Sequence, residues 1–547
     1  MMKYVFFFLL FVCNGFGQYD TGPFAERDPY EDAPAIGLGT IILIIIAAVF
    51  NSKLERKKEE AAASKWEANQ QKMRSDFLSD DLAKARSRIE TAEAEIKKAR
   101  MEKEAIVSKS NSEAMIELAV RAVLRKPLAK LTPSDYKKVT DLDLSKSNIS
   151  DLNPLTRLTQ LANLNLSNNY DLEDLGPLIG LKQLTSLNLS FCEGVRDLSP
   201  LAGLTNLNKL NLSCCDQGSG EWQHLAELKQ LQELDLEESY NVDASQLAGL
   251  IHLRVLNLSY CGTSDLSPLS KLTQLTDLNL SNQEADKGHI IDLSPLAELT
   301  QLKQLDLSEN YSAISDLSPL AKLKQLTSLN LSECNGINDL RPVAGLMNLR
   351  VLNLTGCGIS DLSPLRKLTQ LTDLKLFGQT AEEEHIFFYL DSLAALTQLK
   401  QLDLSRNDFA TNDLSPLAGL TQLKSLNLSE CEVVDDLRPI SGLLNLANLE
   451  LCETSIDNLK PLVALTQLKS LGLSGCEGVY DLRPISGLSN LAKLDLSYTS
   501  IHNLRPIAEL KQLRKLVLYN CPCLPLTQKV EIQKALPECS IYFDKET

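Results

Sequence analysis

The chain has 547 residues, is 44% hydrophobic, 23% charged and 5% aromatic, and carries a net charge of −16 from 71 Asp and Glu against 55 Lys and Arg. The length allows several domains, and the acidic balance argues against a general nucleic-acid binder, which needs surplus Lys and Arg against phosphate. Five His and 13 Cys spread over this length leave little material for a His-based metal or acid–base centre and do not make a small disulfide scaffold.

In chain order, Lys3 and the apolar run Tyr4 to Val12, followed by small Gly15 and Gly17, make residues 1–17 a signal peptide or, if uncleaved, a signal anchor. Residues 18–34 form a short acidic extracytoplasmic segment. Residues 35–50 contain the apolar run Ile36 to Phe50; counted from Ala33 it reaches 18 residues, the lower limit for a transmembrane helix. Lys53, Arg56, Lys57 and Lys58 follow directly. The positive-inside rule then predicts a single-pass membrane protein with everything after Phe50 on the cytoplasmic side. Residues 51–111 contain neither Gly nor Pro and predict a long helix. Leu78, Leu82, Ala85, Ile89, Ala92, Ile96, Ala99 and Ile106 fall on 4-3 spacing, the seam of a coiled-coil stalk through which the chain would form a homo-oligomer. The alternative is a single solvated spacer helix, about 90 Å long if sixty residues are helical.

Residues 112–138 read as an N-terminal cap, with an amphipathic helix over Ser112 to Leu131 ending near Pro127. Residues 139–526 repeat the phrase Leu-x-x-Leu-x-Leu-Ser-x-(Asn/Cys) about 17 times, mostly every 22 to 24 residues, with the second Leu of the phrase at Leu142, Leu164, Leu187 and so on to Leu494 and Leu516. The period and pattern are those of a leucine-rich repeat. Each alternating Leu-x-Leu is a short strand that cannot bury its apolar face alone, so neighbours stack. The predicted fold is an α/β repeat: a right-handed solenoid with parallel strands on the concave side and 3₁₀ or short helical turns on the convex side. In segments such as Asp316 to Leu323, Ser318 is positioned to cap a turn whose first residues include Pro319, and thirteen units carry that Pro.

Eight units place Cys where such repeats place Asn: Cys192, Cys215, Cys261, Cys334, Cys357, Cys431, Cys476 and Cys521. Asn169, Asn310 and Asn407 hold that position elsewhere. A small buried side chain there is expected to hydrogen-bond the neighbouring unit, and so many thiols suit a reducing compartment. The units also recur in blocks of four: LTQLKQLDLS at Leu299 returns at Leu396. Two longer units carry the extra residues Gln283 to Ile291 and Gln379 to Ser392. Residues 527–547 form the C-terminal cap, with a helix over Thr527 to Leu536, a stop at Pro537 and a last strand over Ser540 to Phe543.

On the units typified by ISDLSPLRKLTQLTDLKL and the cap segments LRKPLAKLTPSDYKKVTDLDLS and KALPECSIYF, residues 112–543 resemble the bacterial internalin-type leucine-rich repeats. The resemblance implies a protein ligand gripped by the concave face. No motif for catalysis, cofactor or metal emerges: His224, His252, His289, His385 and His502 lie in separate units without ligand spacing. The expected function is a non-catalytic, membrane-anchored protein-interaction scaffold; the alternatives are an internalin-like surface or secreted adhesin and a purely structural spacer. Partner contacts are expected where the monotonous Asn and Ser of the strands give way to aromatic or charged residues. These are Lys375 and Phe377, the long loop with Glu382, Glu383, Glu384, His385, Phe387 and Tyr389, and Val517 with Tyr519 in the last unit.

Overall fold

A computed structural model describes residues 111–543 except 128–129, 216–220, 241, 284–289, 380–388, 408 and 410, together with Thr91 and Lys97. The chain divides into two compact units, Met1–Glu104 and Ala105–Thr547. In the first, Thr91 and Lys97 are helical and exposed. The expected signal segment and membrane span lie outside the described residues, as does the seam of the stalk. Among the described residues, no helix is long and apolar enough to cross a membrane.

The second unit closes its own core. Helix α1 (111–124) lays Ile116 and Val120 on the first repeat, where both are buried with Val139. Ser112 Oγ accepts the N–H groups of Ser150 (3.0 Å) and Asp151 (3.3 Å). The helix stops short of the predicted Leu131, and Arg125 takes a positive φ. A second helical turn, α2 (Pro133–Tyr136), was not anticipated; it is held by a capping box between Thr132 and Asp135. The buried Asp135 carboxylate takes Lys126 Nζ at 2.7 Å and the Thr132 N–H at 3.0 Å. The Lys126 ammonium, ahead of the Thr132 bonds, holds it well below the usual carboxylate range. At the far end α3 (Leu526–Ala535), one residue earlier than predicted, buries Ile532, and β18 (Ser540–Phe543) closes the sheet. The buried core runs from Ile116 to Cys539 with both ends covered by the unit's own elements, so this unit can fold alone.

Between the caps, strands β1 (Asp141–Asp143) to β17 (Lys515–Leu518) each pair in parallel with the next, and β17 pairs with β18. The repeat Leu face one another in register, as Leu142 with Leu164 and Leu329 with Leu352. Short 3₁₀ turns return the chain from one strand to the next. One unit shows the packing: Leu317, Leu320, Leu323, Leu326, Leu329 and Leu331 are each at most 1% exposed.

Three polar columns run along the solenoid, two within the units and one between them. First, the turn cap is the Asp, not the Ser predicted: Asp316 Oδ1 accepts the Ser318 N–H at 2.8 Å, and the same bond recurs from Asp151 to Asn503. The carboxylate reaches the first free N–H of the turn two residues on, while Ser318 Oγ turns back to Asp316. Second, the residue after the repeat Leu folds its oxygen onto the N–H two residues later, as Asn188 on Ser190 (2.9 Å) and Asn330 on Ser332 (3.2 Å). The strand Asn residues are therefore committed to the turn rather than simply hydrated. Third, the ladder position is buried and bonded between units. Every one of the eight Cys donates Sγ–H to a Leu carbonyl of the preceding unit, from Cys192 to Leu166 (3.2 Å) to Cys521 to Leu496 (3.2 Å). Gln283 and Gln379, read as loop residues from the sequence, occupy this ladder and are buried, so the insertions begin after them.

The chain leaves every strand through a residue of positive φ four places after the repeat Leu, from Lys146 to Asn520, and only three of the seventeen are Gly. Close approach between units also demands Gly elsewhere. A Cβ on Gly194 would sit 2.7 Å from Leu172 O and 2.8 Å from Tyr170 O, whereas one on Gly180 meets nothing within 4 Å. Gly194→Ala is expected to cost about 1–3 kcal/mol through overpacking. Gly180→Ala is expected to be neutral or to stabilise by about 0.4–1 kcal/mol through the unfolded chain. Urea unfolding of the pair checks this; equal midpoints would show that the units can slide apart without cost.

Candidate binding surface

The sheet face is largely a floor of small polar side chains, and three departures from it stand out. At β11 (Asp373–Lys375), Lys375 replaces the turn-capping Asn and is exposed. Phe377 is half-buried: the Arg406 guanidinium of the next unit lies 5.5 Å from its ring centre. Arg406 in turn bonds Glu430 of the unit after, Nε to Oε2, at 2.6 Å. Lys375, Phe377, Arg406 and Glu430 thus form a charged, aromatic patch across three successive units. Tyr389 precedes the turn Leu390–Ala395 and is 63% exposed. Glu382, Glu383, Glu384, His385 and Phe387 lie outside the described residues.

The second place is the last unit. Val517 is buried because β18 lies beside it with Tyr542 opposite in register, so it presents little surface. Tyr519 is exposed, and its carbonyl accepts the N–H of exposed Tyr498 from the preceding unit at 2.8 Å. Tyr542 is exposed one strand further on, with Lys515 Nζ 5.5 Å from its ring. Three tyrosines from three successive strands or their exits therefore line the C-terminal end of the face.

The third place went unnoticed in the sequence. In the unit of β5 (Glu233–Asp235), the phrase LDLEES puts Glu237 where other units have Ser. Asp235 takes Asn211 Nδ2 at 3.0 Å, and Cys214 Sγ donates to Glu238 Oε2 at 3.4 Å. Burial raises Asp235 and Glu237 above their ordinary values. Burial, then the bond to Glu238, pushes the Cys214 thiol up to about 12. Arg406, Tyr498 and Tyr542 were missed as well; LSYTS at Ser497 departs from the repeat phrase at Thr499, whereas LSRND at Ser405 fits it, with Arg406 at the variable position.

The hollows beside these patches are open and shallow. The sheet face has a shallow hollow of about 290 Å³ floored by Asn257, Asp277, Asn279, Asp306 and Asn330. A second open trough of about 720 Å³ lies on the turn side among Asp413, Asp436, Arg438 and Asp457. Among the described residues, no three His, Cys, Asp or Glu stand close enough to hold a metal. Shallow polar hollows on an extended face suit contact with another protein better than capture of a small molecule, which favours a concave apolar pocket.

No protein-family profile matches the chain, and no curated protein matches it. Solved structures do. A leucine-rich-repeat protein of Leptospira interrogans is 25% identical over 75% of this chain and 97% of its own, with a TM-score of 0.56. An internalin of Listeria monocytogenes is 25% identical over 74% of this chain and 95% of its own, with a TM-score of 0.41. The parallel eighteen-stranded sheet and its 3₁₀ returns define a leucine-rich-repeat solenoid, as the Leptospira protein's likeness bears out.

Proposed function

We propose that this chain is a non-catalytic, internalin-type scaffold that binds a protein on its sheet face. It is anchored through residues 35–50 with the repeats on the cytoplasmic side and clusters through the stalk at 51–111. The observation that carries the binding role is the concentration of aromatic and charged side chains, Lys375 with Phe377 and Tyr498 with Tyr519, on a face paved mostly with turn-capping Asn and Asp and with Ser. The run of Lys53, Arg56, Lys57 and Lys58 after the apolar segment supports the orientation. Unbridged thiols at all twelve described cysteines accord with a reducing compartment.

Crosslinking and capture with the full chain in its own cells tests the binding role. Phe377→Ala and Tyr519→Ala are each expected to lower recovery of a bound protein at least tenfold, the loss typical of an interface anchor. Unchanged recovery with both variants would remove these residues from the interface. The second reading is a surface adhesin, favoured by the similarity of the whole solenoid to bacterial leucine-rich-repeat proteins. External protease applied to intact cells separates the two: protection of the C-terminus supports the cytoplasmic scaffold, and cleavage supports the adhesin.

A further inference from the structure

The two rims of the sheet differ in chemistry. On the trailing rim, where the chain leaves the strands, stand Tyr170, Tyr240, Tyr260, Tyr311 and Tyr498, together with Glu309, Glu333 and Glu430. On the leading rim, the four residues ending two places before each repeat Leu include no Asp, Glu, Phe, Tyr or Trp in any of the seventeen units. The last of these four residues forms one continuous backbone ladder. Thr276 N–H bonds Arg254 O, Lys303 bonds Thr276, Thr327 bonds Lys303, Arg350 bonds Thr327, and the chain of 2.7–2.8 Å bonds continues through Lys400, Lys424 and Lys469 to Arg514.

Seven of the twelve ladder positions from Arg254 to Arg514 are cationic, and all seven are exposed. At one strand spacing per unit they run along roughly 50 Å of rim. None of the seven has an ion-pair partner among the described residues. Acids in the segments beside the ladder are engaged elsewhere: Asp277 and Asp373 accept the hydroxyls of Thr276 and Thr372, and Glu298 and Glu509 pair with Lys322 and Lys511. In a chain of net charge −16, an unpaired cationic ladder of this length is a segregated feature.

Large aliphatic side chains share this rim. Ile251, Met347 and Leu444 occupy the same place in successive four-unit blocks, three residues before ladder positions 254, 350 and 447, and each is 52–55% exposed. Val255 and Val351 stand exposed beside Arg254 and Arg350.

We propose that the leading rim docks on an anionic lipid surface, with the seven cations facing headgroup phosphates and carboxylates and Ile251, Met347 and Leu444 entering the interface beneath them. Charge complementarity supplies long-range attraction, and buried aliphatic area supplies the part that salt cannot screen. A nucleic acid or other polyanionic chain would meet the same cations. It would gain nothing from the aliphatics, and it would find no aromatic platform here, since the tyrosines stand on the opposite rim. The inference concerns residues 105–547 and is independent of the anchor at 35–50 and of any protein ligand.

The test is co-sedimentation of residues 105–547 with phosphatidylcholine vesicles with and without phosphatidylserine. Binding is expected only to the anionic vesicles. Replacing Arg254, Lys303, Arg350 and Lys400 by Gln should weaken it by about fivefold per cation, more than a hundredfold in all. Exchanging Arg for Lys at positions 254 and 350 should preserve it. A second variant with Ile251, Met347 and Leu444 changed to Ser should bind anionic vesicles more weakly even at high salt. Thermal melts of each variant confirm that the core is intact. No sedimentation with anionic vesicles, or sedimentation unaffected by the four Gln substitutions, overturns the proposal. Tighter binding to a single-stranded oligonucleotide than to anionic vesicles would overturn it in favour of a polyanionic chain.

Discussion

Asn310→Ala is expected to destabilise the array by roughly 2–6 kcal/mol, more than the neighbouring Cys334→Ala at about 1 kcal/mol. The difference lies in what each ladder residue holds. Asn310 is buried; its Nδ2 donates to Leu280 O (2.9 Å) and Leu307 O (2.8 Å), and its Oδ1 accepts the Gln283 N–H (2.9 Å). Removing the amide strands the Leu280 carbonyl and the Gln283 N–H where water cannot reach them, at about 1–3 kcal/mol each, while Leu307 O keeps the Cys334 thiol. Cys334 makes one thiol bond, to Leu307 O at 3.0 Å, and its loss leaves a small void but no unpaired carbonyl, since Leu307 O keeps Asn310 Nδ2. Asn310 also sits just after a long unit, where Gln283 relays the contact: the Gln283 Oε1 accepts the Thr263 N–H at 2.8 Å. Because each unit contacts only its neighbours, the damage should localise there and separate the array into two unfolding blocks. Hydrogen exchange resolved along the chain reads this directly, and equal losses in the two variants would mean that the amide is no more than a spacer.

The same pair recurs one block later, with Asn407 taking the Gln379 N–H at 2.9 Å and Gln379 Oε1 taking that of Ile359. The block duplication was legible in the sequence, and so were the repeat Leu of every strand, the Cys ladder, both caps and the closing strand. These features follow from burial and periodicity, which a linear pattern records. What escaped is chemistry between partners that no spacing announces. Asp316 rather than Ser318 caps its turn because the carboxylate reaches two residues forward in space. Gln283 and Gln379 look like loop residues because an amide one methylene longer than Asn is unusual in this ladder. Arg406 becomes part of the Phe377 patch only through stacking across a unit boundary, and Val517 loses its surface only because β18 arrives 23 residues later in sequence. The leading-rim cations were overlooked for a related reason: each is a single Lys or Arg in its own unit, and only the ladder brings them into line.

The thiol ladder makes a further strong prediction, for alkaline solution. Burial pushes Cys192 up to about 11 and Cys215, Cys261, Cys334 and Cys357 up to about 12, against about 8.5 for a thiol in an unfolded chain. A pKa raised by folding means that the native state holds its protons more tightly. The stability this represents is complete below about pH 8.5 and drains away as the pH climbs towards the folded values. Each such thiol should cost about 1.4 kcal/mol per pH unit over the stretch from pH 9 to 11. Five together should make unfolding steeply sensitive to alkali, with the midpoint in urea collapsing over two pH units. Ser239 shows the control: in the same ladder its hydroxyl donates to Leu212 O at 3.0 Å, and a hydroxyl does not ionise in this range. Cys261→Ser, Cys334→Ser and Cys357→Ser combined should therefore preserve the fold at neutral pH and visibly flatten the alkaline slope. A triple variant with the slope of the parent chain would move the alkaline sensitivity from the ladder to the surface lysines and tyrosines.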